Sequence, residues 1–459
     1  MVKTGTNSFA GGVHPETHKA LTAEQPIRPG PRPSLVVLPM VQHLGVPARP
    51  VVGPGDTVKV GQVVGEAGGL VSAPVHATVS GRVVAVERRP HPSGTERLAV
   101  VIRSDGRDEW AEGPGERRLA DLTPEDIRAI AREAGLVGLG GAAFPTHVKL
   151  TPPEGQRIDT VILNGCECEP YLTADHRLML ERAETVAYGL VAVVRAVGAW
   201  RAVVAVEDNK PGAARALGAA LTALEEAEPE LVGNVKLDVR LLPTKYPQGA
   251  EKQLIWAVTG RAVPPGKLPS EAGCLVQNVG TAAALADAIR LGKPLVERVV
   301  TVAGSLVVCP GNYLVRLGTP VREILAFAGG PTGPVGKLIL GGPMMGVAQA
   351  TDAVPVVKGT SGILALSPAE ARTPEPRPCL HCGRCVKACP MGLSPFQLAR
   401  AAEAGFLDEA EQAGAGYCLE CGSCAFVCPA KRPLVEAVRR AKAALAARRV
   451  AVAKAAGEW

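Results

Sequence analysis

The sequence predicts a multidomain protein of α/β-plus-β class. A β module comes first, then a parallel α/β domain, a second small β module and an α-helical, cysteine-rich C-terminal domain. Three observations predict this. The chain has 459 residues, too many for one ordinary core, so roughly two to four domains are expected. Strand-like and helix-like segments alternate between residues 121 and 290, the rhythm of a parallel sheet covered by helices. Eight of the 12 cysteines lie between Cys379 and Cys428, which sets that segment apart from the rest.

Composition narrows the class. Hydrophobic content of 47% with 20% charge describes a folded globular chain. Aromatics make up 3%, against 52 Gly and 40 Pro, so turns and loops link aliphatic strands and helices. A dispersed net charge of +6 does not point to nucleic acid. The apolar stretch Val186–Val194 is broken by Arg195, far short of the ~20 residues that span a bilayer. The opening MVKTGTNSFAGG has no apolar core of a secretory signal. The expectation is a protein made and kept in the cytoplasm, where thiols stay reduced and cysteines serve purposes other than disulfides.

Residues 1–34, rich in Pro, Gly and His, read as an extended, non-regular arm. Residues 35–110 read as β: Val58 and Val60 alternate with polar neighbours after the Gly55-Asp56 turn. The run APVHATVSGRVVAVE, Ala73–Glu87, looks like half of a lipoyl- or biotinyl-type barrel-sandwich. Carrier domains of that type present a lysine at the preceding turn. Here the turn is Gly68-Gly69-Leu70, so the module reads as structural. In the α/β domain, Thr123, Pro124 and Asp126 start a helix that runs to Gly135. Strands are expected at Thr160–Leu163, Ala202–Val206 and Val235–Leu242, with helices near 175–197, 211–227 and from Gly249. Residues 295–365 return to short strands (Val299–Ala303, Tyr313–Arg316, Lys337–Leu340) around one helix near 320–328, which fits a small β-grasp module. A Pro- and Glu-rich linker covers 367–378, the cysteine segment 379–432, and a basic Ala-rich helix 433–459.

The cysteine segment carries the strongest chemical signal. Cys379-x2-Cys382-x2-Cys385-x3-Cys389-Pro390 is repeated as Cys418-x2-Cys421-x2-Cys424-x3-Cys428-Pro429. This spacing is that of two-cluster bacterial ferredoxins, where three thiolates of a run hold one [4Fe–4S] cluster and the fourth reaches the other. Cys379, Cys382, Cys385 and Cys428 are therefore assigned to one cluster, and Cys418, Cys421, Cys424 and Cys389 to the other. Structural zinc is the alternative, but it needs only four thiolates in two pairs and no closing Cys-Pro. Two such clusters pass single electrons and need no general acid or base.

A two-electron donor such as NADH needs an intermediary to split its pair, and flavin is the usual one. The segment Val137-Gly138-Leu139-Gly140-Gly141-Ala142-Ala143-Phe144-Pro145-Thr146 offers backbone N–H groups that can approach an anion closely. Alone, a Gly-rich turn is more often only a turn.

Taken together, GLGGAAFPTHVK, NGCECEP at 164–170, YPQGAEKQLI at 246–255 and QNVGT at 277–281 resemble the NADH-binding flavoprotein of respiratory complex I. The resemblance is closer to the C subunits of Rnf-type ion-translocating electron transport complexes. It extends to FAGGVHPETHK at 9–19, YLTADHRLM at 171–179, GGPMMG at 341–346 and the double cysteine run. It implies FMN and NAD(H) sites. Gly138, Gly140 and Gly141 would form the phosphate-side loop, and Lys149 would pair with the phosphate or ribityl region. Asn164 and Glu167 would sit at the ring and ribityl edge. Tyr246, Gly249 and Glu251 would line the nicotinamide side, and Asn278 and Thr281 the phosphate end. The chain departs from the pattern at Ala143, where the family has glycine and a methyl requires negative φ, and at Ala250 and Gln277. The resemblance further implies a peripheral subunit on the cytoplasmic side of the membrane, integral-membrane partners coupling electron flow to Na⁺ or H⁺, and ferredoxin as an indirect partner. The rivals are a soluble flavin/iron–sulfur reductase of the cobalamin reductase type and a relay adaptor without nucleotide.

Of the remaining residues, Cys166, Cys168, Cys274 and Cys309 read as packing, and His14, His18, His147 and His176 as structural. His381 lies inside the first cysteine loop, where a hydrogen bond to sulfur would tune potential. Arg439, Arg440, Lys442, Arg448, Arg449 and Lys454 give the last helix a basic face that could meet anionic headgroups or an acidic partner. The GGPMMG motif has no chemical role readable from its residues.

Overall fold

The structure, a computed structural model, describes residues 2–4, 8–113 and 115–455. The outermost parts of the expected arm and tail, 1, 5–7 and 456–459, lie outside them.

At the centre is a five-stranded parallel sheet in the order Val2–Thr4, Lys236–Leu242, Arg201–Glu207, Thr160–Gly165, Cys274–Asn278. The aliphatic runs of its two middle strands are buried almost throughout, as expected for a sheet covered on both faces. Helices Ala183–Val197 and Val279–Leu291 pack so closely that a Cβ at Gly189 would stand 2.0 Å from the Ala282 carbonyl oxygen. Only glycine fits there. The expected helix over 175–197 is two helices, Ala174–Glu181 and Ala183–Val197, parted at Arg182. The Arg182 guanidinium donates to both Asp287 oxygens, at 3.0 and 2.7 Å. The helix after Thr123 spans Pro124–Glu133 with a full capping box: the Thr123 hydroxyl accepts from Asp126 N–H at 3.2 Å and the Asp126 carboxylate accepts from Thr123 N–H at 2.9 Å.

Chain order along the sheet reverses between Thr160–Gly165 and Cys274–Asn278. Ligands of open α/β sheets bind outside the carboxyl ends of strands at such a point. Here Asn164 and Asn278 mark it.

The N-terminal module is a pair of antiparallel sheets. One runs Leu35–Pro39, Glu96–Ser104, Gly81–Pro90, Thr57–Val58, and the other Arg49–Pro50, Val63–Glu66, Val75–His76. Val36, Leu38, Val64, Val83, Val100 and Ile102 fill the space between them. The second β module is a six-stranded sheet: Val347–Gln349, Lys337–Leu340, Gly362–Leu366, Glu297–Ala303, Gly311–Arg316, Ile27–Pro29. Its last strand corrects the expectation for residues 1–34. Far from being wholly irregular, that segment supplies an edge strand to two sheets, Val2–Thr4 and Ile27–Pro29. Strands this short carry no alternation pattern, because register comes from the partner.

The cysteine segment folds as short helices, Arg384–Ala388, Pro395–Glu403, Leu407–Gln412 and Ser423–Phe426, closed by Leu434–Ala455. Leu398, Ala401, Val438, Ala441 and Leu445 form its core. The basic face expected on the last helix is largely answered within the chain. Arg439 and Lys442 pair with Glu420, Arg448 with Asp408 and Glu411, Arg449 with Glu411, and Arg440 with Glu436. All but the last, which lies within the helix, clamp it to its own domain; the Lys454 side chain lies outside the described set. Among the described residues, no helix is long and apolar enough to cross a membrane.

Candidate functional site: two thiol cages and a nucleotide cleft

The two cysteine runs fold about a pseudo-repeat, each giving three thiols to a loop and the fourth to the other half. Cys379, Cys382, Cys385 and Cys428 surround a cavity of about 270 Å³, with Arg384, Arg400 and Arg432 at its rim. Cys389, Cys418, Cys421 and Cys424 surround a second, tighter one. Backbone N–H groups point at the sulfurs: His381 N to Cys379 Sγ (3.5 Å), Leu393 N to Cys389 Sγ (3.4 Å) and Glu420 N to Cys418 Sγ (3.4 Å). Such donors favour thiolate. The His381 contribution is thus its backbone N–H, while its ring lies edge-on to Phe396 at 5.8 Å. Burial first, then the neighbouring Cys418, Cys421 and Cys389, push the Cys424 thiol up to about 12. Four thiols in such a cage ionise together only around a cationic centre. Among the described residues, no three His, Cys, Asp or Glu side chains close on a single-ion point. The outer four thiols ring a cavity that suits a multi-atom cluster.

The cages differ in setting. Each has one buried cysteine, Cys385 and Cys421, but Cys379 and Cys382 of the first are exposed and no cysteine of the second is. The Tyr246 hydroxyl donates to the Cys421 carbonyl at 2.8 Å, and Gln253 Nε2 donates to the Pro390 carbonyl at 3.1 Å. Gly12 N–H donates to the Ala388 carbonyl at 2.9 Å, and Val13 bridges Tyr246 with bonds of 2.8 and 2.9 Å. The Cys389/Cys421 cage is therefore inner, docked on the α/β domain, and the Cys379/Cys428 cage is outer.

A cleft of about 560 Å³ opens at the switch point of the sheet, well within the size range of cofactor sites. Gly138, Gly140, Lys149, Asn164, Gly249, Glu251 and Asn278 line it, with Gln277 beside them. Gly138 N–H donates to the Phe144 carbonyl at 2.9 Å and Leu139 N–H to Thr281 Oγ1 at 2.9 Å. Among the described residues, the N–H groups of Gly140, Gly141 and Ala142 have no protein acceptor. Three successive free amides form an anion cradle. A Cβ at Gly140 would stand 3.4 Å from the Asn278 side chain. Lys149 and Glu251 pair across the cleft at 2.7 Å. Asn164 Nδ2 donates to the Gly249 carbonyl at 2.8 Å, and Gly249 N–H contacts Cys168 Sγ at 3.4 Å. A flavin mononucleotide fits this donor set: an amide cradle and a lysine for phosphate, and amide side chains for a polar ring edge.

Family models match the four modules in order. RnfC barrel sandwich hybrid matches residues 7–107, the Nuo51 FMN-binding domain 131–287, SLBB 299–348 and the 4Fe-4S dicluster domain 373–429. The chain is 48% identical over 98% of its length, and 99% of the relative's, to the C subunit of the Na⁺-translocating ferredoxin:NAD⁺ oxidoreductase complex of Acetobacterium woodii. It belongs to the family of C subunits of ion-translocating oxidoreductase complexes. Other members include the C subunit of the proton-translocating ferredoxin:NAD⁺ oxidoreductase complex of Clostridium ljungdahlii (46% identity; 88% of this chain, 86% of the relative) and that of the ion-translocating oxidoreductase complex of Rhodobacter capsulatus (46%; 96% and 84%). In fold, the chain resembles an NAD⁺-reducing [NiFe]-hydrogenase, with TM-score 0.53 and 21% identity over 70% of this chain and 63% of that one.

Within this family member, several expected residues stand elsewhere than the resemblance implied. Glu167 is away from the cleft: its carboxylate accepts from Asp175 N–H (2.7 Å) and His176 N–H (3.1 Å), capping a helix. Tyr246 is buried against the inner cage. Thr281 acts behind the loop, on Leu139. Ala143 has φ +51, not the negative value a methyl prefers. Its N–H donates to the Gly138 carbonyl at 3.1 Å and its carbonyl accepts from Leu44 N–H at 3.2 Å, so the closed loop holds it there at about 1 kcal/mol of strain. Cys309, expected in a core, is exposed.

Two motifs acquire roles. The half-buried Glu169 carboxylate accepts from Met344 N–H (3.0 Å) and Met345 N–H (2.8 Å), which pins GGPMMG beside the inner cage. A Cβ at Gly342 would meet Glu169 Oε2 at 2.2 Å, and one at Gly11 would meet the Cys389 carbonyl oxygen at 2.6 Å. The glycine pairs in FAGG and GGPMMG were the signal in the sequence, but their partners are more than a hundred residues away. Lys19 completes the support, donating to the carbonyls of Glu167 (2.8 Å), Glu169 (2.9 Å) and Leu172. Burial lowers its ammonium to about 8.

Proposed function

We propose that the chain is the peripheral, NAD(H)-facing component of a membrane-bound ion-translocating ferredoxin:NAD oxidoreductase. It exchanges electrons between NAD(H), FMN and two [4Fe–4S] clusters, on the cytoplasmic side of the membrane. Partner subunits couple that flow to Na⁺ or H⁺ movement and to ferredoxin. Flavin supplies the exchange of a hydride with nicotinamide and of single electrons with clusters. The protein supplies position. The amides of Gly140, Gly141 and Ala142, with Lys149, would hold a phosphate. Asn164 and Gly249 would border the ring, and Glu251 the dinucleotide. Cys389, Cys418, Cys421 and Cys424 would hold the inner cluster, and Cys379, Cys382, Cys385 and Cys428 the outer one.

The observation that carries this reading is continuity. Asn164 on the cleft wall bonds Gly249, three residues after Tyr246, whose hydroxyl reaches the inner cage at Cys421. A cluster adaptor without nucleotide needs no such cleft. Anaerobic protein loaded with iron, sulfide and FMN should bleach on NADH addition, and its native form should pellet with membranes and be released by salt or mild detergent. Absence of FMN on extraction, with no NADH-dependent bleaching, contradicts the reading.

A further inference from the structure

The glycine-rich loop is braced by a residue from outside its own domain. Arg298 lies on Glu297–Ala303, in the second β module, yet its side chain is buried behind the glycine-rich loop at 5% exposure. Its Nη2 donates to the Leu139 carbonyl at 3.1 Å, Nη1 to the Lys358 carbonyl and Nε to the Val299 carbonyl at 3.3 Å. The guanidinium plane is thus fixed. Leu139 is held from both sides, its carbonyl by Arg298 and its N–H by Thr281. The next three N–H groups are those left free. Lys149, the cation on the cleft wall, is answered by Glu251. The carboxylate that faces Arg298 is Asp175, which accepts from Asn278 Nδ2 at 2.7 Å. Burial, then Glu167, push that carboxyl up to about 7, so its negative charge opposes Arg298 only in part near neutrality.

We propose that Arg298 is a positioning residue that makes the loop selective for a phosphorylated flavin. It aims the Gly140–Ala142 amides and places a buried positive charge behind them. The inference rests on the flavin reading and adds to it the source of the preference for phosphate. FMN and riboflavin share the ring and ribityl chain and differ in the phosphate, so their affinity ratio isolates the effect.

The test uses the full-length, cluster-loaded chain freed of flavin, titrated with FMN and with riboflavin by flavin fluorescence. Wild type should bind FMN more tightly. Arg298→Met should weaken FMN on the order of tenfold and leave riboflavin unchanged. Arg298→Lys should restore most of the preference. Asp175→Asn, which keeps an acceptor for Asn278 and removes the opposing charge, should tighten FMN alone; it carries the test if Arg298→Met does not fold. Parallel weakening of both flavins in Arg298→Met, or an unchanged ratio in Asp175→Asn, overturns the proposal. Wild type that binds neither flavin overturns the flavin reading itself, and the proposal with it.

Discussion

The two thiol cages are built from the same spacing and differ in everything around them. The inner cage is roofed by Tyr246, Gln253, Met344 and the Phe9–Val13 arm, segments drawn from three other parts of the chain. The outer cage has two exposed cysteines and a rim of arginines from its own domain. A duplicated motif thus gives two like thiol cages, and long-range packing sets one against the α/β domain and leaves the other nearer the surface. Order in an electron path is a tertiary property.

The supports of the inner cage are buried, and those of the outer one lie near the surface, so equivalent substitutions should differ in size. The largest effect is expected at Glu207. It pairs with Lys210 at 3.0 Å, both about 1% exposed, and accepts from Lys245 N–H just before Tyr246. Glu207→Ala strands a buried ammonium and should cost about 3–5 kcal/mol in urea unfolding. Tyr246→Phe leaves the Cys421 carbonyl without its donor and should cost about 1–1.5 kcal/mol, with a shift in the midpoint potential of the inner cluster and none in the outer. Unchanged potentials in both would remove Tyr246 from the electron path. At the outer cage, the Arg432–Glu403 pair is more exposed; Glu403→Ala should cost less than about 1 kcal/mol. A cost there comparable to that of Glu207→Ala would erase the contrast.

pH offers a further probe of the inner side. Burial raises the Glu169 carboxyl from 4.5 to about 6, against the pull of Met344 and Met345 N–H. Between those values the folded state holds a proton that the unfolded state has released. The contribution of Glu169 to stability is therefore present below pH 4.5 and lost as pH rises through about 6. Glu169→Gln should flatten that part of the profile relative to wild type, as read by thermal unfolding from acid to neutral pH.

Local features were the most legible in the sequence. The helix start at Thr123-Pro124-Asp126 is a capping box as expected, because its partners are three residues apart. The strands Thr160–Gly165 and Arg201–Glu207 extend their expected apolar runs by a residue or two. The cysteine spacing was readable because three of the four thiols of each cage come from one short run. What was not legible depends on distant contacts. The three-residue strand Ile27–Pro29 exists because Gly311–Arg316 offers an open edge. Ala143 adopts positive φ because hydrogen bonds with Gly138 and Leu44 close around it. Glu167 was matched to a flavin contact by motif, but the start of the helix Ala174–Glu181 takes its carboxylate. The basic face of the last helix ignored the acids of Leu407–Gln412 and Glu420, which fold back against it.

The central claim is that crossed ligation yields an inner cluster fed from the cleft and an outer cluster fed through it. The direct measurement is EPR of Cys428→Ala and Cys389→Ala after anaerobic addition of NADH. The account predicts that Cys428→Ala loses the cluster of Cys379, Cys382 and Cys385 and keeps an NADH-reducible signal from the other. Cys389→Ala should keep the outer cluster in a form that dithionite reduces and NADH does not. If Cys428→Ala instead spares the cluster of its opposite run and destroys that of its own, both the crossed assignment and the order built on it are wrong.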